Sequence, residues 1–93
     1  MKKTIFKYKL EITDKQIIEM PINSKILTVQ TQNEVPRMWV LANPLEAKEK
    51  RCIEIFGTGH NVNSDMDISR NYLGTFQIRS GALVFHVFEY TEI

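Results

Sequence analysis

The sequence predicts an all-β domain, a compact antiparallel sandwich or small barrel of about six or seven short strands. Three observations carry that expectation. Apolar residues recur at alternate positions in most stretches, the period at which side chains of an extended strand share one face. The links between those stretches are short and contain Asn, Asp, Gly and Pro, which suits antiparallel neighbours better than parallel crossovers. No strand-helix-strand repetition of the sort a doubly wound fold needs is present, nor any internal repeat or low-complexity tract.

The opening stretch IFKYKLEI (5–12) alternates well: Phe6, Tyr8, Leu10 and Ile12 share one expected face, and Lys7, Lys9 and Glu11 the other. Thr13 and Asp14 can turn the chain into a short strand, QIIEM, before Pro21. A helix capped by Thr13 or Asp14 competes there, but Pro21 would stop it within about two turns. KILTVQTQ (25–32) is β-branched and leads through NEVP to RMWVLAN (37–43). So short a link makes these two strands an antiparallel pair, with Pro36 at a strand boundary where its missing amide hydrogen is tolerated. NPLEAKEK (43–50) is charged and reads as a surface connection, with room for one helical turn.

RCIEIFG (51–57) resumes the strand pattern, with Ile53 and Ile55 on one face and Cys52, Glu54 and Phe56 on a mixed second face. A polar loop is expected at about 58–71. YLGTFQIR then forms a strand in which Gly74 permits a bulge or a close backbone approach. Ser80 and Gly81 centre a hairpin before ALVFHVFEY (82–90). There Leu83, Phe85 and Val87 alternate with Val84, His86 and Phe88, so both faces are largely apolar. One face enters the core; the other calls for a second layer, a loop or a partner.

Ninety-three residues make one domain spanning 1–93, and 43% hydrophobic content argues against disorder. Twelve basic and eleven acidic residues give a net charge of +1, so no general attraction for a polyanion is expected. Lys2, Lys3, Lys7 and Lys9 do crowd the start; solvated lysines on a strand account for them, and nucleic acid is not the expected partner. A lone cysteine, Cys52, removes the disulfide-scaffold argument for secretion. With neither a long apolar run nor a signal-like start, no membrane association is expected and the cytoplasm is the default location.

The segment FGTGHNVNSDMDISRNYLGTFQ (56–77) gathers three of the four glycines, one of the two histidines and two of the three aspartates. Gly57, Thr58, Gly59 and His60 could aim backbone amides at an anion or small ligand, with Arg70 or Arg79 adding positive charge. GTGH has neither the spacing of a dinucleotide fingerprint nor the lysine of a phosphate loop, so a demanding turn competes strongly. Asn61, Asn63, Asp65 and Asp67 present alternating oxygens. A calcium loop starting at Asn61 fails, with Met66 where glycine is needed and Tyr72 where glutamate is needed. Neither histidine forms a zinc motif with Cys52, so no metal or cofactor is implied.

Ser69, His60 and Asp65 supply the residue types of a hydrolytic triad without a spacing or elbow that would bring them together. No catalytic residue is assigned. His86, between Val84 and Phe88, is expected to be packed against a hydrogen-bond partner or covered at an interface. Trp39, Phe56, Phe76 and Phe88 lie within apolar strands, which favours core or oligomer packing over a nucleic-acid platform unless Trp39 and Phe88 are exposed beside the basic start.

GTGH, YLGTFQ and GALVFHVFE together resemble a family of small, uncharacterised proteins encoded by phages and prophages. The resemblance implies a compact protein acting inside a bacterial host cell and carries no assigned catalytic residues. The sequence is therefore expected to specify a noncatalytic accessory protein that self-associates and contacts a phage or host protein, with Trp39, Val84, His86 and Phe88 as interaction residues. The alternative is a module that binds a small charged ligand through Gly57, Thr58, Gly59, His60 and Arg70.

Overall fold

The computed structural model describes residues 2–63 and 68–92, and among them it has seven strands and no helix. In chain order these are β1 (Thr4–Lys9), β2 (Lys15–Pro21), β3 (Lys25–Gln32), β4 (Val35–Ala42), β5 (Lys48–Gly57), β6 (Ile68–Ile78) and β7 (Leu83–Glu92). They form two antiparallel sheets, ordered β1-β4-β3 and β2-β5-β7-β6, which pack as a sandwich and do not close into a barrel. No helix among the described residues is long and apolar enough to cross a membrane.

Alternation places the core. In β4, Pro36, Met38, Val40 and Ala42 are buried and the intervening Val35, Arg37, Trp39 and Leu41 are half-buried on the outer face. Met20, Met38, Val40, Ile53 and Val87 are fully sealed between the sheets. Burying each such side chain is worth roughly 1.5–3 kcal/mol. Phe85 belongs to this interior as well, stacked on Phe76 with ring centroids 5.3 Å apart.

Gly74 sets how closely the sheets approach. The β6–β7 register shifts between Tyr72 and Gly74, a bulge at Leu73. A Cβ on Gly74 would lie 3.2 Å from the Val29 Cβ, so the missing side chain lets β6 pass close to β3. The hairpin tips are also tied. Asn33 and Glu34 both take positive φ, as a two-residue hairpin turn requires, and the Glu34 carboxylate accepts the Arg79 amide at 3.1 Å. Arg79, Ser80 and Gly81 have positive φ in the β6–β7 turn.

Three boundaries depart from the sequence expectation. β1 ends at Lys9: the Leu10 amide donates to the Pro36 carbonyl and its side chain is buried, but the chain then turns away and leaves Ile12 46% exposed. β5 starts at Lys48, because Lys48, Glu49 and Lys50 pair with Pro21, Met20 and Glu19 of β2. β6 starts at Ile68, inside the expected loop, where Ser69 and Asn71 are held by ladder pairing to Thr91 and Glu89. The stretches added at the starts of β5 and β6 are mostly polar, and backbone pairing rather than burial makes them strand.

Candidate functional site

GTGH continues directly from β5. The Thr58 amide donates to Val84 O at 3.1 Å, extending the β5–β7 ladder, and the His60 amide donates to Gly57 O at 3.0 Å, closing a four-residue turn. Gly59 occupies its third position with φ of 91°, the left-handed conformation that a type II turn demands there. The His60 ring folds back, so that Nδ1 accepts the Gly57 amide at 3.1 Å. A Cβ on Gly57 would meet the ring at 2.9 Å. Three of the amides that an anion nest would use thus donate within the protein.

Beside the turn lies a concavity of about 310 Å³ lined by Gly57, Thr58, His60, Ala82, Leu83, Val84 and Phe85. Neither Arg70 nor Arg79 lines it. Arg70 is engaged elsewhere, its Nε donating to Glu54 Oε1 at 2.7 Å and its Nη1 to the Asn63 carbonyl. The Arg79 backbone is held by Glu34 at the hairpin tip.

The outer face of the four-stranded sheet is the most highly organised surface. Register aligns Phe56 with His86, Glu54 with Phe88 and Cys52 with Tyr90 between β5 and β7, while β6 places Tyr72 opposite Phe88 and Arg70 opposite Tyr90. The Phe88 ring packs edge-on against Phe56 and Tyr72, with centroids 5.9 Å and 5.5 Å away. Such pairs contribute about 0.5–1.5 kcal/mol beyond their burial. The Arg70 guanidinium lies 5.6 Å from the Phe56 centroid and 5.7 Å from that of Tyr90, and Lys15 Nζ sits 4.1 Å from the Tyr90 ring. Beneath this cover Glu54, on an outward-facing position, is only 6% exposed.

His86 is bound within the same face. Thr58 Oγ1 lies 2.8 Å from its Nε2, Thr75 Oγ1 lies 3.1 Å from its Nδ1, and the Tyr72 hydroxyl contacts Thr75 Oγ1. One assignment gives every donor one acceptor: Tyr72 donates to Thr75, Thr75 to His86 Nδ1, His86 Nε2 to Thr58, and Thr58 to Val84 O at 3.5 Å. Val84, His86 and Phe88 are each half-buried, and their cover comes from neighbours in the same sheet.

Trp39 lies on the opposite side of the molecule. It faces outward from the middle strand of the three-stranded sheet, half-buried between Lys7 of β1 and Thr28 of β3. The expected interaction residues therefore divide between two surfaces.

The family model described as Domain of unknown function (DUF7352) matches residues 1–93. The chain belongs to that family. No curated protein and no solved structure matches it. Membership in this domain family fixes no chemistry, so what the residues can do has to come from their arrangement.

Within this DUF7352 domain, the described residues contain no cluster of three or more His, Cys, Asp or Glu that could hold a metal ion. Asp65 and Asp67, considered as oxygen ligands, and Asp65, considered beside His60 and Ser69, lie outside the described residues. Sequence reasoning missed Glu54, Tyr72 and Tyr90 as members of the aromatic face. The alternation of Cys52, Glu54 and Phe56 signalled that a mixed surface existed, but its partners come from β6 and β7, and only the register supplies them.

Proposed function

We propose that the protein is a noncatalytic interaction module that pairs with a second copy of itself through the outer face of the four-stranded sheet. The observation carrying this proposal is the row of Phe56, Phe88 and Tyr72, with the exposed Ile17 beside Cys52 farther along, on a face that no further layer of the described residues covers. Its charges include both signs, with Lys15, Lys50 and Arg70 alongside Glu19 and Glu54, so opposite charges are available to a second copy. The molecule is a slab with Cα extents of 42 × 37 × 15 Å, and a standard interface takes about 800 Å² per partner. One broad face is large enough. Resemblance to phage- and prophage-encoded proteins supports placing this role in a bacterial host cell, where a phage or host protein would be the further partner.

Sedimentation across micromolar to millimolar concentrations tests the proposal. A dimer is expected, and Tyr72→Asp together with Ile17→Asp should give a folded monomer, because both side chains are already more than half exposed. A wild-type monomer throughout that range would overturn it.

The concavity beside GTGH supports a second function, binding of a small ligand against Thr58, His60 and Phe85. Its apolar lining and the internal use of the GTGH amides favour an uncharged or weakly polar ligand over a phosphate. Ligand screening by chemical-shift change at Thr58 and Ala82 would detect it, and His60→Ala should abolish the response at both.

A further inference from the structure

The three strands of the β1-β4-β3 sheet contain Lys7, Lys9, Lys25 and Arg37 and no acidic residue. Register places all four on the outer face with Trp39. Lys7 is directly opposite Trp39, Lys9 is opposite Arg37, and Lys25 is opposite Leu41. Cations therefore stand beside the indole and on both sides of it along the strand. From Arg37 to Leu41 the strand advances about 13 Å, a span that a few nucleotides can follow.

These cations are largely uncommitted. Among the described residues Lys7, Lys25 and Arg37 make no ion pair. Lys7 instead reaches across β4 to Gln32 Oε1 at 2.8 Å. Lys9 contacts Glu11 at 3.6 Å in an exposed pair of the kind that water screens heavily. Arg37 Nε is buried without a hydrogen-bond partner, and Arg37 forms no ion pair, among the described residues. Thr28 and Gln30 add hydrogen-bonding side chains on the same face, opposite Trp39 and Arg37. A net charge of only +1 for the whole chain conceals this segregation.

We propose that this face binds single-stranded nucleic acid, stacking an unpaired base on Trp39 and receiving phosphates on Lys7, Lys9, Lys25 and Arg37. Four like charges repel a second copy of the same face and attract a polyanion. An aromatic ring beside cations matches a strand whose bases are free to stack. A flat sheet face presents no helix or protruding ribbon to enter the major groove of a duplex. The site lies on the sheet opposite the proposed self-association surface and stands independently of it.

Trp39 is the only tryptophan, so its fluorescence reports the site directly. Titration with oligothymidylate or oligouridylate at low salt should quench it, and a blunt duplex of equal length should bind more weakly. The logarithm of affinity should fall with the logarithm of salt, and removing one phosphate-binding cation should reduce the slope by about 0.7. Lys7→Gln and Lys25→Gln, at exposed positions, should each produce that change with the fold intact. Trp39→Ala, followed by anisotropy of a labelled oligonucleotide, should weaken binding at least about fivefold. Gln77→Glu, at an exposed position on β6 of the other sheet, should leave quenching unchanged. Absence of quenching, tighter binding of the duplex, or an equal response to polyglutamate would overturn the assignment.

Discussion

The two broad surfaces of the sandwich are built on different principles. On the four-stranded sheet, polar and aromatic groups are matched to one another: Arg70 with Glu54, Phe88 with Phe56 and Tyr72, His86 with Thr58 and Thr75. On the three-stranded sheet, the cations stand around Trp39 and, apart from Lys9, make no ion pair among the described residues. A surface already satisfied internally offers shape and apolar area, whereas one with unanswered charge offers attraction for an opposite charge. The same backbone architecture thus supports two kinds of recognition.

The largest effect expected from breaking this contrast comes from Arg70→Ala. It would leave Glu54 buried without its cation, and loss of one member of a buried pair costs about 3 kcal/mol or more. Urea unfolding would measure this, and a loss no greater than that of a surface lysine would show that the pair is not a structural element. Gly74→Val should come next, at about 2 kcal/mol, because the added side chain has to displace Val29 where the sheets approach. Thermal unfolding should register the loss whichever face is intact.

Thr75→Val removes the hydroxyl between Tyr72 and His86 while keeping the shape. A loss of about 1 kcal/mol is expected, together with a change in the His86 ring proton resonances. Lys9→Ala should be the mildest, within about 0.5 kcal/mol, since its pair with Glu11 is exposed. A Lys9 variant as damaging as the Arg70 variant would erase the distinction between the faces.

Much of the architecture was legible in the sequence because burial follows alternation. RMWVLA alternates outside and inside residue by residue, whereas in LVFHVF only Val87 is fully buried and Leu83, on the same face, is exposed. NEVP and the Ser80-Gly81 turn announced the two hairpins. Strand starts at Lys48 and Ile68 were illegible, since charged and amide side chains leave no hydrophobic period when ladder bonds alone define the strand. The surfaces were harder still. Lys7 and Lys25 become neighbours of one indole only through β4, and Glu54 finds Arg70 only because β7 inserts between β5 and β6. Pattern reports which way a side chain points; register decides whom it meets.

The bare backbone at position 74 has a consequence for how chains can add to one another. By letting β6 nestle against β3, it makes one flank of the slab a narrow seam between two sheet borders. The borders at the other flank, β1 and β2, make no comparable contact with each other, and main-chain addition of another chain is expected to meet less obstruction there.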